Sequence, residues 1–576
     1  MVRYAPFFFL RTSMIWNELP PAVFLFRYDM AIFKRQACKP FFSEHERYQW
    51  CCKYPRAVMN TYLWEDCQLV CLRKDKKPFF FYLRTTATHT PIVNSAQQTK
   101  SWKEIPGPSL WDLIKQALPG ASGDLNLTDG LKLGQALYDH YGPIVKLDGF
   151  LGRPPIILLY DPEQCAQVLR SENWLPIRSG FQSLDYYRRN KRNKGNENQS
   201  NPDMTGLLTD HGETWKKFRS TVNPVLLQPK TIKLYTSIID EVAQDMIVRM
   251  KSLRGENNMI QSDFEMEMNL WSLESIALVA LGRRLRCFDS HLPPNSPEKR
   301  LIQLVHDIFE TADKLDFKPS LWRYFPTRAY KKAMKLYEEQ ENIARFFIDK
   351  TIEELNKQGT RKSEEEKSVL EKLLEINKDV AVIMASDVLF AGVDTTSNTI
   401  TASLYLLANN QDKQDKLRAE ILSITDENQK RSYLRACVKE SMRIMPVVSG
   451  NIREATKEYV IFGYSIPPGI GISFMHQAMS MMEEHYPRPT EFLPERWLVK
   501  KGDPLYHGNA HPFVNQPFGF GVRSCIGRRI AELEIYTFLS RLIQNFRVEW
   551  FGPPMQTKVA SINYITVPHN FIFKDA

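Results

Sequence analysis

The chain has 576 residues, 43% of them hydrophobic and 25% charged, the profile of a globular protein with a large core and length for two or three domains. The formal net charge of +10 comes mostly from the first hundred residues, which hold 15 Lys and Arg against 7 Asp and Glu, while the rest hold 61 against 59. The body is therefore nearly neutral, which argues against a nucleic-acid-binding enzyme, and nine cysteines without regular spacing exclude a disulfide-stapled scaffold.

Residues 1–100 read as an N-terminal extension. They contain 20 of the 67 aromatics and five of the nine cysteines, with no sustained helical or strand period. No uncharged apolar stretch of 18 residues occurs among them, so a conventional N-terminal membrane anchor is not expected. From Lys76 to Lys103 there is no acidic residue, while Thr85, Thr86, Thr88, Thr90, Ser95 and Thr99 supply hydroxyls. Such a stretch suits a mitochondrial transit segment. A linker, or an upstream stretch absent from the mature protein with translation starting near Met59, is the alternative.

The compact domain is expected over residues 101–576, opening on Ile105-Pro106-Gly107-Pro108, which breaks helices. Residues 142–147 and 155–160 read as short strands, and the polar run 188–200 as an exposed loop. Helical periods dominate thereafter, at 230–253, 264–281, 298–315, 327–355 and 379–408. Mixed short segments return from Val447, and a last helix is expected at 528–543. The fold class is mainly α with a minor β part.

Four places carry chemistry. In the helix that follows His211, Trp215 and Arg219 stand at i and i+4, one above the other. Helix 379–408 carries Ala391-Gly392-Val393-Asp394-Thr395-Thr396, polar groups that are costly in an apolar helix unless paired or hydrated. A membrane span is a poor reading of it, because Asp387 and Asp394 interrupt it. Glu440-Ser441-Met442-Arg443 sets opposite charges at i and i+3, ahead of Glu495-Arg496-Trp497. Finally, Phe518-Gly519-Phe520-Gly521-Val522-Arg523-Ser524-Cys525-Ile526-Gly527 brackets a cysteine with glycines just before an apolar helix. Glycines let the loop lie close to a flat ligand, and a helix N-terminus favours a thiolate. Arg523 could pair with a carboxylate of that ligand.

This last segment resembles the haem-binding loop of the cytochrome P450 (haem-thiolate monooxygenase) family, with Phe518, Gly521, Arg523, Cys525 and Gly527 at the matching positions. The other landmarks occur in order across residues 101–576. The resemblance implies a single large helical haem domain with small β-sheets and haem b (iron protoporphyrin IX) as cofactor. It makes Cys525 the axial iron ligand, whose thiolate favours O–O cleavage, and puts Phe518 among the haem-binding residues. Trp215, Arg219, Arg453 and Arg523 would meet the propionates. Thr395 and Asp394 would deliver protons to dioxygen, with Gly392 leaving room for it. Glu440, Arg443 and Arg496 would form a buried structural triad.

The implied activity inserts one atom of O2 into an apolar small molecule. Cys525-Ile526-Gly527-Arg528-Arg529 and Pro224-Val225-Leu226-Leu227-Gln228-Pro229-Lys230 resemble the animal mitochondrial clan, and the texture from Trp102 onward resembles its insect members, associated with xenobiotic or ecdysteroid oxidation. That resemblance implies an adrenodoxin-type 2Fe-2S ferredoxin docking near Arg435, Lys439, Arg528 and Arg529, and peripheral attachment to the matrix side of the mitochondrial inner membrane. The alternatives are a microsomal enzyme of the endoplasmic reticulum served by a flavoprotein reductase, an oxygen-independent haem-thiolate isomerase, and a non-catalytic haem-binding protein. The intact Asp394-Thr395 pair argues against the isomerase. Substrate-lining residues are expected from 181–209, from the helices between Lys230 and Leu321, and from the strand after Pro446.

Overall fold

Helices that are apolar on every side can only be stable inside a protein, and two such helices make the centre of this one. The computed structural model describes residues 58–64, 67–74, 77–84 and 99–576, apart from 110, 113–129, 151–152, 173, 193–203, 290–292, 294–295, 359–362, 425–430, 560 and 567. The chain divides into two compact units, Met1–Gln97 and Gln98–Ala576.

In the first unit, β1 (Val58–Trp64), β2 (Cys67–Lys74) and β3 (Lys77–Arg84) form an antiparallel meander. No strand period marks this region. Val, Leu, Phe and Tyr favour extended pairing even where apolar and polar residues do not alternate. Of the acid-free stretch, residues 77–84 lie in β3, and 85–98, with the targeting signal expected there, lie outside the described residues.

The second unit begins with β4 (Lys100–Ser101), which pairs in parallel with a strand more than 360 residues later, Lys100 opposite Tyr464. The expected strands appear as β5 (Ile144–Leu147) and β6 (Ile156–Leu159). Helices α1 (Gln182–Asn190), α2 (Gly212–Leu226), α3 (Thr236–Leu253), α4 (Phe264–Leu281), α5 (Pro297–Ala312), α6 (Arg328–Gln358), α7 (Lys378–Ala408) and α8 (Ser432–Ile444) follow. Then come β7 (Asn451–Glu454), β8 (Tyr459–Ile461), β9 (Tyr464–Ile466), β10 (Gly471–Phe474) and the last helix, α9 (Arg528–Asn545). The chain closes with β11 (Phe546–Trp550), β12 (Thr557–Val559), β13 (Asn563–Ile565) and β14 (Phe571–Asp575). The sheet order β5-β6-β10-β7 brings residues of both halves together.

Two helical expectations and one loop expectation need correction. The period at 230–253 splits into Pro229–Lys233 and α3, because Tyr235 turns into the core, where its hydroxyl accepts the Val369 amide at 2.9 Å. The α-helix from 298 ends at Ala312 and continues as a π turn, Asp313–Phe317. The run 188–200 is not an exposed loop at its start. Arg188 belongs to α1 and is buried, paired at 2.7 Å with Asp387 of α7, while 193–200 lie outside the described residues.

Two hydrophobic cores result. The larger unites α2 to α9, with α4 and α7 in the middle and Trp271 stacked on Phe538 at 4.2 Å. The smaller surrounds β5, β6 and β10 and reaches Phe513 and Val514. Among the described residues α7 is the one helix long and apolar enough to cross a membrane, and most of it is buried in the larger core.

Candidate active site

The cysteine loop lies where the two cores meet. Phe518 and Ile526 pack on the larger core and Phe520 on the smaller. Gly519 and Gly521 both have φ of +70°, a conformation L side chains resist. These turns bring the Cys525 amide to the Phe518 carbonyl at 2.9 Å and the Ser524 amide to Gly521 at 3.1 Å. Arg528 lies over the Phe518 ring at 5.1 Å.

Gly527 is the N-cap of α9 and offers no side-chain cap, so the first amides of the helix are free for the thiol. Burial raises the Cys525 pKa, against the amides of Gly527 and Arg528 and the guanidiniums of Arg219 and Arg178. The helix terminus alone does not make the thiolate; a coordinated metal ion would. Cys525 is also surrounded by protein yet accessible. A residue with both properties faces an internal space.

Four guanidiniums crowd the same region. Arg523 is held down to about 8 by burial and by Arg178, Arg453 and Arg219. Arg178 and Arg219 are each lowered to about 10, chiefly by burial. Arg453 pairs with Glu172 at 2.7 Å. Arg219 donates to the Ser524 carbonyl at 2.9 Å, and Arg523 to the carbonyls of Leu207 (3.1 Å) and Asp210 (2.5 Å). Arg523 also lies over the Trp215 ring at 4.0 Å, and the Trp215 indole N–H is buried without an acceptor. Excess buried positive charge beside an orphaned donor suits a dicarboxylate. With the accessible thiol below, these residues fit haem: Cys525 for the iron, and Trp215, Arg219, Arg453, Arg523 and Arg178 for the propionates.

Helix α7 opens one face. Its residues are almost all buried, but Val388, Ala391, Gly392 and Thr395 are only half-buried. They fall at i, i+3, i+4 and i+7, a single stripe. Thr395 Oγ1 donates back to the Ala391 carbonyl at 2.6 Å. Asp394, one residue earlier and about 100° around the helix, points elsewhere: it is buried and accepts from the Tyr564 hydroxyl at 2.9 Å. The acid and the alcohol are neighbours in sequence that do not touch. Gly392 also has a packing role. A Cβ there would lie 2.6 Å from Ile276 Cγ1, and Ser272 of α4 donates to the Gly392 carbonyl at 3.0 Å. The glycine allows α4 and α7 to touch.

The triad forms as expected and is larger. Arg443 binds Glu440 through two nitrogens, at 2.7 and 3.0 Å, and Arg496 through one, at 3.0 Å. The Trp497 indole (3.0 Å) and the Leu493 amide (3.2 Å) also donate to Glu440. All three charged residues are fully buried. Arg435, Lys439, Arg528 and Arg529 are exposed. Arg435 lies over the Tyr536 ring at 5.7 Å, and both Arg435 and Arg528 act on that tyrosine's hydroxyl, so they share one surface.

Sequence reasoning missed Arg178, Glu172 and the Tyr564 hydroxyl. Arg178 sits in an aperiodic loop, and Tyr564 is 170 positions from Asp394. No local spacing announces either of them.

Comparison with known proteins agrees with this geometry. The family model described as Cytochrome P450 matches residues 125–569. Cytochrome P450 CYP12A2 of Musca domestica is 38% identical over 514 residues, covering 85% of this chain and 94% of that protein. The probable cytochrome P450 12a5, mitochondrial, of Drosophila melanogaster is 38% identical over 499 residues, covering 83% and 92%. Among solved structures, retinoic acid bound cyanobacterial CYP120A1 superposes with a TM-score of 0.58 at 21% identity, covering 78% of this chain and 95% of that one. That likeness extends to the fold.

Proposed function

The chain belongs to the cytochrome P450 family, as a haem monooxygenase, and on that footing we propose that it is a mitochondrial member reduced by a ferredoxin. Its haem domain is taken as residues 101–576, with 1–100 as an extension that carries the targeting segment. Haem, when bound, supplies the binding and activation of dioxygen. The rest of the chemistry falls to the chain. Cys525 holds the iron, with Phe518 folding the loop over its amide. Trp215, Arg219, Arg453 and Arg523 orient the propionates, and the apolar walls exclude water. Thr395, on the open stripe of α7, holds a hydroxyl where a proton is needed, and Asp394, adjacent in sequence though not in contact with it, is the proposed proton source.

The observation that carries the donor assignment is the exposed basic surface made by Arg435 and Lys439 of α8 with Arg528 and Arg529 at the start of α9, just beyond Cys525. An acidic iron–sulfur protein would be steered to it by charge, with a salt-sensitive on-rate. The mitochondrial names of relatives such as the probable cytochrome P450 12a5 support the same compartment. The exposed Leu321, Tyr324 and Phe325, beside Lys318 and Arg323, support peripheral attachment to a membrane surface, which in the proposed compartment is the matrix side of the inner membrane. The proposed substrate is a small apolar molecule, a xenobiotic or an ecdysteroid-like steroid.

Reversing Arg435 and Lys439 to Glu is expected to raise the ferredoxin KM by about tenfold, equivalent to roughly 1.4 kcal/mol, with haem content and substrate binding unchanged. Steady-state reduction with each donor in turn is the test. Turnover with a microsomal flavoprotein reductase and none with ferredoxin would overturn the assignment.

Thr395→Ala is expected to bind haem and substrate normally but to uncouple the reaction. Product per NADPH should fall by roughly tenfold to a thousandfold, within the range for loss of a positioned proton donor, and hydrogen peroxide should account for the difference. Full coupling in this variant would remove Thr395 from the mechanism.

A further inference from the structure

Asp394 is held from one side only. Asp394 is 1% exposed, with Oδ2 bonded to the Tyr564 hydroxyl and Oδ1 without a hydrogen-bond partner among the described residues. A buried carboxylate half satisfied in this way is costly unless its proton matters. Tyr564 stands on β13, half-buried, with its ring edge-on to the His306 imidazole of α5, 5.8 Å between centroids. Glu265, in the first turn of α4, is near enough to His306 and Asp394 for both to act on its carboxyl. Asp263, the N-cap of α4, is exposed. Asp313 also bears on Tyr564 and is paired with Lys318 at 2.6 Å. Asp394 is thus buried, Tyr564, His306 and Glu265 are each half-buried, and Asp263 is exposed to solvent.

We propose that Glu265, His306 and Tyr564 form the path by which solvent protons reach Asp394, a reading that rests on the monooxygenase assignment. The four side chains come from α4, α5, β13 and α7, which converge only in the folded protein.

The chemistry of each member suits its place. Burial and the adjoining carboxylates push the Tyr564 hydroxyl far above the usual phenol range. It therefore never rests as a phenolate; it receives a proton on oxygen as it gives up its own. An imidazole can both take and give a proton near neutrality. Among the described residues no direct hydrogen bond joins His306 to Tyr564, and the proposed path includes one bridging water between them. In one passage, the His306 imidazolium releases a proton through that water to the Tyr564 oxygen. The phenol's original proton moves to Asp394 Oδ2. Imidazole and carboxylic acid are then both neutral, and Glu265 or water reprotonates His306. Charge is conserved at each step. Burial raises the Asp394 pKa, while the Tyr564 hydrogen bond and His306 lower it, so the same two groups that deliver the proton also keep the carboxylate ready to take it.

The test uses full-length ferric enzyme and two variants, Tyr564→Phe and His306→Gln. The infrared carbonyl band of protonated Asp394, identified by its loss in Asp394→Asn, is followed against pH. Each variant removes a group that favours the carboxylate, so each should move the titration midpoint upward. With the reconstituted electron donor, coupling in Tyr564→Phe should fall about tenfold with haem content and substrate titration unchanged, since a water replaces the phenol imperfectly. In His306→Gln coupling should fall as well, with haem content and substrate titration unchanged. If Tyr564→Phe loses haem, His306→Gln carries both readouts alone. An unchanged midpoint and unchanged coupling in both variants would overturn the path, as would lower thermal stability with neither readout moved. Absence of coupled turnover in the wild type with any donor would instead overturn the monooxygenase reading.

Discussion

Glu440→Ala is expected to leave no stable, haem-containing protein. Removing this carboxylate strands the guanidiniums of Arg443 and Arg496 with no exposure to water, and frees the Trp497 indole and the Leu493 amide. Breaking a buried ion pair from one side costs about 3–5 kcal/mol. A domain has only about 5–15 kcal/mol in total. The expected result is aggregation on expression, or a fall in thermal midpoint large enough to see in any folded remainder. Glu440→Gln, which keeps the shape and one acceptor oxygen, should lose less. Circular dichroism melts and the haem-to-protein ratio decide it. A Glu440→Ala protein with wild-type melting would show that the triad contributes nothing to the fold.

Cys525→His is expected to separate haem binding from activity. The loop owes its shape to Gly519, Gly521 and the Cys525 amide on Phe518, none of which needs the sulfur. The guanidinium cluster and Trp215 are untouched. Haem should therefore still bind. Without the thiolate, the electron push that favours O–O cleavage is lost. The long-wavelength Soret band of the reduced carbon-monoxide complex should disappear, and monooxygenation should fall by several orders of magnitude. An unchanged band in the variant would remove Cys525 as the ligand.

How much of this was legible in the sequence depended on the distance over which each device is built. The Cys525 loop, the Glu440–Arg443 pair and the stripe around Thr395 are local, so residue type and spacing carried them. Arg496 was legible because a second short motif accompanies it. Long-range devices left no such trace. Arg188 looked like part of a solvated polar run, yet its partner Asp387 lies 199 positions away and draws it inside. Gly392 looked like space for a ligand, and only the position of Ile276 reveals that its Cβ direction is also taken up by a neighbouring helix. Arg178, Tyr564 and His306 belong to three different elements, and only tertiary structure brings them to the site.

The crowding of Arg178, Arg219, Arg453 and Arg523 bears on how the protein is made in the cell. Before a dianion arrives, each guanidinium makes the next harder to bury, and the Cys525 loop must still join the two cores. Cofactor capture and closure of that seam are then one thermodynamic event. A ligand held only by the closed form draws the population toward it, by about 2.7 kcal/mol at a hundredfold excess over its Kd. Chains made faster than haem is supplied stay open at the seam, where proteases and chaperones reach them first. The steady-state abundance of this enzyme is accordingly expected to follow haem supply as well as the rate of its synthesis.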